Sequence, residues 1–247
     1  MQDRKQTILK AIIEDYIETA EPIASKEIAT RHDFGVSPAT IRNTMAELTE
    51  EGFIYQPHTS AGRVPTDRGY RFYVDSLLSR QELPEPRRKR LEHDLRAKKS
   101  EDFYEGFTAG IAAMSEAMAL SAMDDNFSKV YRSGISYALR QPEYTDAEHA
   151  WKLADLFEHP QAMLEQVADL TPREPQAFIG AERALCRNLD ASLLVTTFEH
   201  NGHRGIITVV GPKRMDYARN LAILRTVAQI LSSGALVLLI VVGPLKP

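Results

Sequence analysis

The sequence lacks the features that mark secreted, membrane-spanning or cysteine-bound proteins. Cys186 is its only cysteine among 247 residues, which excludes an intramolecular disulfide framework and a cysteine-based zinc cluster. We expect this thiol to be a small buried hydrophobe, because free cysteines usually are. The longest apolar run, 235–242, falls short of the ~20 residues that cross a bilayer. The first residues also lack the apolar core of a signal peptide, so we expect a cytoplasmic protein with no membrane partner.

Known catalytic motifs are missing as well. The sequence contains no P-loop, Gly-x-Gly-x-x-Gly, His-Glu-x-x-His or Gly-x-Ser-x-Gly pattern. The histidines are scattered, and the pair His200 and His203 has no nearby cysteine to complete the three or four ligands that zinc usually needs. We therefore expect that the protein is not an enzyme and that it has no metal site and no cofactor.

An excess of positive charge is also absent. The formal net charge is −4, from 30 basic and 34 acidic residues. Nucleic-acid binding would therefore have to rest on a local basic face and not on the total charge. The hydrophobic share of 43% and the charged share of 26% are typical of a folded globular chain. The length indicates one or two domains.

The first part of the chain predicts a helix-turn-helix. Residues 3–20 carry apolar side chains at helical spacing, and Ser25 is placed to cap a short second helix. Ser37 followed by Pro38 is a strong start signal for a third helix, which we expect to end at Gly52. The predicted inward positions of this helix are Ile41, Met45 and Leu48.

A short hairpin and a fourth helix are predicted next. Residues 53–56 and 63–64 are expected strands around a polar loop, and Thr66 or Asp67 then caps a helix rich in aromatic residues. The order helix, helix-turn-helix, hairpin, helix is that of a winged helix-turn-helix. We place this DNA-binding domain at residues 1–80.

The third helix and the hairpin loop carry side chains suited to reading DNA. The first turns of a helix in the major groove face the base edges, where Arg42 can bind guanine and Asn43 can bind adenine through two hydrogen bonds each. The loop is a wing that can contact phosphates or enter the minor groove, where arginine is favoured. The candidate DNA-binding residues are Ser37, Ala39, Thr40, Arg42, Asn43, His58, Thr59, Ser60, Arg63, Arg68 and Arg71.

The middle of the chain predicts helices. Residues 81–100 form a linker with a charged run, which is either a solvated helix face or an accessory phosphate contact. Residues 101–175 are rich in Ala and Met, which are good helix formers. The methionines expected to fill the core are Met114, Met118 and Met123.

The last part, 176–247, predicts an α+β region. Residues 192–198 and 205–210 are expected strands joined by an Asn-Gly turn, and 214–232 is an amphipathic helix. The turn at 212–217 is either structural, with an aspartate as the helix cap, or part of a ligand site. The fold class is α+β: an N-terminal winged helix-turn-helix, a mostly helical middle region and a C-terminal α+β domain.

Three segments resemble the HrcA family of heat-inducible transcription repressors. They are IEDYIETAEPIASKEIA, GVSPATIRNTMAELTEEGFIYQPHTSAGRVPTDRGYRFYVDSLL and GPKRMDYARNLAILRTVAQILS. The block FEHPQAMLEQV is similar, though less specifically, to that family's inserted dimerising region, which we place within 101–175.

The resemblance implies a repressor that binds an inverted-repeat operator, CIRCE, upstream of chaperonin and DnaK operons. It implies a homodimer on double-stranded DNA, dependence on the GroEL chaperonin and loss of repression on heat stress. It also implies a GAF-like domain interrupted by the dimerising insert. The chain departs from the family at 80–135, where helices are expected in place of the strands of a GAF-like first half, so this domain is expected to be partial.

Two other functions fit the same residues. The C-terminal α+β domain of a regulator could bind a small molecule that sets its DNA affinity. Alternatively, the winged helix could contact another protein, since residues 1–80 are not strongly basic. In that case Arg42 and Asn43 would only be solvated. Independently, Thr66 and Asp67 could serve only as the cap of the fourth helix and leave Arg68 solvated.

Overall fold

The computed structural model describes two folded units. Its described ranges are 3–78, 81–96, 103–123, 129–167, 174–200 and 203–233. The winged-helix unit comprises residues 3–78, and the sheet unit comprises the described part of 103–233. The predicted Asn-Gly turn at 201–202 and the apolar run at 235–242 lie outside the described residues. Within the described ranges, no helix has both the length and the apolar character needed to cross a membrane.

The winged-helix unit confirms the predicted order of elements. A short π-helical segment, Tyr73–Leu77, continues its last helix. The elements are α1 (Asp3–Thr19), α2 (Ser25–Arg31), α3 (Pro38–Glu50), β1 (Ile54–Tyr55), β2 (Val64–Pro65) and α4 (Asp67–Phe72).

In the winged-helix unit, two of the three predicted helix caps are correct. The Ser37 hydroxyl accepts a hydrogen bond from the Thr40 amide, and the Thr66 hydroxyl accepts one from the Gly69 amide. The cap predicted at Ser25 is wrong. Helix α2 begins at Ser25 itself, and Ala24 stands at the cap position without a side-chain hydrogen bond. The serine is therefore one residue inside the first turn.

The sheet unit contains a five-stranded antiparallel sheet of order β4-β3-β7-β6-β5. A helix in the predicted linker, α5 (Glu85–Arg96), precedes this unit and exposes its basic side chains at 87–90. The further elements are α6 (Phe103–Ser115), β3 (Met118–Met123), β4 (Lys129–Ser133), α7 (Ile135–Ala138), α8 (Ala147–Glu158), α9 (Gln161–Val167), β5 (Gln176–Ile179), α10 (Ala184–Leu189), β6 (Ala191–His200), β7 (His203–Pro212) and α11 (Tyr217–Ser232).

Strands β3 and β4 correct the expectation of helices throughout 80–135. Every residue of β3 is buried, because this strand lies between β4 and β7. A continuous apolar run of Ala and Met suits a buried strand as well as a helix, and tertiary pairing then overrides helix propensity. The middle region is mostly helical, but it supplies two strands of the five-stranded sheet. Met118 and Met123 fill the core from β3 and not from a helix.

Helices cover both faces of the sheet. Leu194 and Ile207 belong to a cluster that includes α6, α11 and the helices of the winged-helix unit. Leu193 and Val195 point to the opposite face, where α8, α9 and the buried Cys186 pack. One continuous apolar core therefore joins the winged-helix unit to the sheet unit.

The turn at 212–217 has the structural role that was the first of the two interpretations, with an aspartate as the helix cap. The Asp216 carboxylate accepts the Arg219 amide at 2.9 Å and so caps α11. The Tyr217 hydroxyl donates to the Lys213 carbonyl at 2.6 Å and lies 2.7 Å from the Ser192 hydroxyl. These contacts tie the start of α11 to β6 and to the turn that follows β7.

Candidate nucleic-acid interface

The recognition helix, α3, exposes its first two turns. The Ser37 hydroxyl lies 3.2 Å from the Thr40 amide and 3.0 Å from the Thr40 hydroxyl, which fixes the start of the helix. Ala39, Arg42 and Asn43 are exposed. The opposite side of the helix packs into the core through Ile41, Thr44, Met45 and Leu48. Packing therefore holds the helix from behind and leaves Arg42 and Asn43 open to a ligand.

The charges along α3 are distributed unevenly. Its first turn contains no acidic residue. Glu47 and Glu51 lie at the far end, where both bind Lys5 of α1 at 2.6 and 2.7 Å. These hydrogen bonds raise the pKa of Lys5. Because free amides and the helix dipole make the N-terminal end partly positive, that end suits the negative charge of DNA.

The wing is a short closed loop. The Gln56 side-chain amide donates to the carbonyls of Thr59 at 2.9 Å and Ala61 at 2.8 Å. The Ala61 amide in turn donates to the His58 carbonyl at 2.9 Å. His58, Thr59 and Ser60 are exposed at the tip. The loop therefore presents its polar side chains from a backbone that internal hydrogen bonds define.

The wing is also attached to the segment between α1 and α2. Ile23 and Arg63 exchange two backbone hydrogen bonds of 2.9 and 2.8 Å, which form an antiparallel bridge. Gly62 lies so close to this segment that an added Cβ would come within 2.4 Å of the Pro22 carbonyl oxygen. Only glycine permits this approach, so the base of the wing is fixed from two sides.

A cleft of about 420 Å³ separates the wing from α3. Arg42 lines it from the helix, whereas Thr59, Ser60 and Arg63 line it from the wing. The Arg63 guanidinium donates to the Thr49 hydroxyl of α3 at 3.2 Å, which leaves it half-buried. The structure thus brings together predicted residues from the helix and from the wing.

The two arginines predicted on α4 behave differently. Arg68 is exposed, with its guanidinium 4.6 Å from the centre of the Phe53 ring and 2.7 Å from the Glu51 carbonyl. Arg71 instead forms hydrogen bonds with the Glu182 carboxylate. Hydrogen bonding to Glu182 raises the pKa of Arg71 above its ordinary value. Since its guanidinium is bound to the sheet unit, we correct the prediction and remove Arg71 from the candidate interface.

Two family models together match most of the chain. The model described as "Winged helix-turn-helix transcription repressor, HrcA DNA-binding" matches residues 1–76, and "HrcA protein C terminal domain" matches residues 69–221. The chain belongs to the HrcA family. All residues of the candidate interface lie within the range of the first model.

Curated HrcA proteins are similar to this chain over part of its length. The heat-inducible transcription repressor HrcA of Pelotomaculum thermopropionicum is 56% identical over 98 residues, which cover 40% of this chain and 28% of that protein. The Clostridioides difficile repressor of the same name is 63% identical over 83 residues, covering 34% and 24%. The matched stretch thus spans about a quarter of the length of these relatives.

A solved structure shares the whole fold. It is described as the crystal structure of a hypothetical protein at 2.2 Å resolution, and it matches with a TM-score of 0.74 at 18% identity. The match covers 94% of this chain and 98% of that one. At this identity the match supports the arrangement of winged-helix and sheet units and nothing about activity.

Two features of the HrcA interface were not predicted from the sequence. Gln56 closes the wing, and the neighbouring polar loop was the signal that could have indicated such a role. Ile23 pairs with Arg63 across forty residues of sequence. No local pattern marks that bridge, because a single pair of backbone hydrogen bonds leaves no trace in residue type.

A second cavity of the HrcA chain bears on the ligand-sensing alternative. It measures about 730 Å³ and lies between the two units. Its arginines already contact the protein: Arg71 binds Glu182, Arg225 donates to the Gln81 carbonyl at 3.0 Å, and Arg183 lies over an aromatic ring. The charged groups of this cavity therefore do not point to a particular ligand.

Proposed function

We propose that this HrcA-family chain is a DNA-binding transcription repressor of heat-shock operons. It binds the inverted-repeat CIRCE operator of chaperonin and DnaK operons as a homodimer, and heat stress ends repression. The observation that carries the proposal is the exposed pair Arg42 and Asn43, which stands beside an ordered wing within the stretch that matches the HrcA DNA-binding model.

Sequence reading is assigned to α3. Arg42 binds O6 and N7 of a guanine and Asn43 binds N6 and N7 of an adenine, each pair contributing about 1–3 kcal/mol of discrimination. Ser37, Ala39 and Thr40 lie against the phosphates and the groove wall at the partly positive end of the helix.

The wing is assigned to the sugar-phosphate backbone. His58, Thr59 and Ser60 are exposed donors at its tip, and Arg63 and Arg68 supply positive charge at its base. Contacts to phosphates fix the register of the protein on the duplex and leave sequence recognition to the helix. The Gln56 hydrogen bonds lower the entropic cost of binding, because the loop is ordered before DNA arrives.

The proposal also includes a homodimer, the GroEL chaperonin as a partner and a cytoplasmic location. An inverted repeat is recognised by two subunits related by a two-fold axis. The family resemblance supplies the dimerising insert and the dependence on GroEL, which maintains the active repressor until unfolded proteins occupy it. Repression is steric, since a protein bound to the promoter excludes the polymerase.

The test is a titration of the purified chain against two duplexes. One carries the CIRCE inverted repeat and the other a scrambled sequence, at physiological salt and at two temperatures. We expect a preference of ~10³-fold or more for the operator, as specific regulators show. The preference should fall on heating and return when chaperonin is added. Equal and weak binding to both duplexes contradicts the proposal if sedimentation shows that the protein is a dimer.

Variants separate base reading from general charge. Arg42→Ala and Asn43→Ala should each lower operator affinity by roughly 5- to 150-fold, which corresponds to the loss of one bidentate contact. Arg204→Ala is the matched control, because it removes another exposed arginine, outside both the winged-helix unit and the region 101–175. An unchanged operator footprint for Arg42→Ala and Asn43→Ala would show that other residues read the bases.

A further inference from the structure

Helix α4 is rigidly connected to the wing. It begins one residue after β2, and its cap residue Thr66 donates to the carbonyl of Gly52 at 2.7 Å while it accepts the Gly69 amide at 3.0 Å. A Cβ added at Gly69 would lie 2.2 Å from the carbonyl oxygen of Phe53, the residue before β1, so the helix packs against the base of the wing without a gap. A displacement of α4 therefore moves the wing as well.

The first turn of α4 is bound to the sheet unit through Asp67. One carboxylate oxygen accepts the Ala181 amide at 2.9 Å, and the other lies 3.0 Å from the Lys213 ammonium group. Lys213 also binds Asp190 at 2.7 Å, at the turn between α10 and β6. Asp67 thus connects to two separate loops of the sheet unit.

The next turn of α4 is bound through Arg71. Its guanidinium forms a two-pronged contact with the Glu182 carboxylate, with an Nε to Oε1 distance of 2.7 Å, and also donates to the Ala177 carbonyl. Glu182 is itself held by the Ile179 amide at 2.9 Å. Bidentate arginine–carboxylate contacts fix orientation as well as distance.

The turn at 180–182, which binds Asp67 and Arg71, is tightly packed. Gly180 adopts a φ of +50°, and a Cβ added there would lie 2.0 Å from the Asp67 carboxylate. Behind the polar contacts, the rings of Tyr70 and Tyr217 pack with their centres 5.9 Å apart. The contacts of Asp67 with Ala181 and Lys213, and of Arg71 with Glu182 and Ala177, are together called the interdomain latch.

We propose that the interdomain latch sets the half-site spacing that the dimer accepts, because it fixes the direction of α3 relative to the sheet unit. The inference rests on the proposed function, in which two copies of the chain bind an inverted repeat. Asp67 and Arg71 act as positioning residues: they touch no DNA, and they determine where the recognition helix is held.

The geometry of DNA makes such positioning decisive. One helical turn of 10–10.5 base pairs spans ~34–36 Å, so one added base pair moves a half-site by about 3.4 Å and rotates it by about a tenth of a turn. Two recognition helices on rigid arms cannot follow both changes. When the linkage between two binding units cannot span the sites, the gain from simultaneous binding is lost.

The experiment compares operators that differ only in spacer length. The probes are CIRCE duplexes with the spacer shortened or lengthened by one and two base pairs. The latch variant is E182Q combined with K213M, which leaves every residue of the winged-helix unit unchanged. The control is E85Q combined with K89M, which removes an exposed ion pair of 3.7 Å on α5, outside the winged-helix unit and outside the region 101–175. E182Q alone is the second variant in case the double variant unfolds.

We expect the wild type and the control to lose ~10-fold or more in affinity for each base pair of change, as rigidly linked sites do. The latch variant should bind the natural spacer more weakly and lose less than ~3-fold across the series. A variant with the wild-type spacing profile, or with tighter binding at every spacer, overturns the inference while the repressor function stands. A wild type that does not distinguish the operator from scrambled DNA overturns both.

Discussion

Substitution of Ser37 separates the stability of the recognition helix from its binding of DNA. The Ser37 hydroxyl caps α3 through the Thr40 amide at 3.2 Å, and it is exposed, so its removal leaves no cavity. Ser37→Ala should lower the free energy of unfolding by about 1 kcal/mol, the usual loss for a helix cap. In a chain of this size that corresponds to a decrease in Tm of roughly 2–4 °C.

Ser37→Asn and Ser37→Asp keep the cap but differ in charge. Both side chains are as good as serine at this position, so the Tm should stay near that of the wild type. Ser37→Asp also places a carboxylate where the proposed function has a phosphate, and two like charges repel each other at short distance. Operator affinity should therefore fall for Ser37→Asp and remain unchanged for Ser37→Asn.

Two assays on the same samples decide the outcome. Circular dichroism during heating measures the Tm, and fluorescence anisotropy with a labelled operator duplex measures affinity. If Ser37→Asp binds the operator as tightly as Ser37→Asn does, then the N-terminal end of α3 does not face the phosphate backbone. If Ser37→Ala has the Tm of the wild type, the hydroxyl does not contribute as a cap.

Three further predictions concern the wing, the thiol and the interface between the units. Gln56→Ala removes both hydrogen bonds that close the wing. The Tm should change little while operator affinity falls by roughly 10-fold, since the loop must then be ordered on binding. Anisotropy tests this with Gln229→Ala, which removes an exposed glutamine on α11, as the control; equal affinities of the two variants would contradict it. Burial raises the pKa of Cys186 to about 12, which leaves a thiolate fraction of about 10⁻⁴ at pH 8. Iodoacetamide should therefore label this thiol rapidly only in urea. Rapid labelling of the native protein would contradict the burial. The Tyr70 hydroxyl is buried and has no hydrogen-bond partner within the described part of the chain. Tyr70→Phe should therefore leave the free energy of unfolding unchanged or raise it by up to ~1 kcal/mol. A marked decrease of this free energy in urea denaturation would refute the prediction.

The winged-helix unit was predictable because its signals are local. Ser37 and Pro38 mark the start of α3, the apolar spacing marks its inner side, and Gly52 adopts the positive φ expected at the end of a helix. Each of these signals lies within a few residues of the feature it determines. Burial and exposure along α3 follow directly from that pattern.

The sheet unit was less predictable because its decisive contacts are distant in sequence. β3 resembles a helix in composition, and only pairing with β7, some ninety residues later, makes it a strand. Arg71 looked like a phosphate ligand from its neighbours, whereas its partner Glu182 is 111 residues away. Local residue types describe what a side chain can bind but not which of several partners the fold brings to it.

Arg71 and Glu182 also protect one edge of the sheet from pairing with other chains. β5 is an outer strand, and its Ala177 carbonyl and Ile179 amide bind these two side chains instead of a further strand. An outer strand with open backbone groups is a template on which other chains can add and aggregate. In the proposed function heat ends repression, so the protein has to survive the same heat. This ion pair keeps the β5 edge of the sheet closed for as long as the two units stay together.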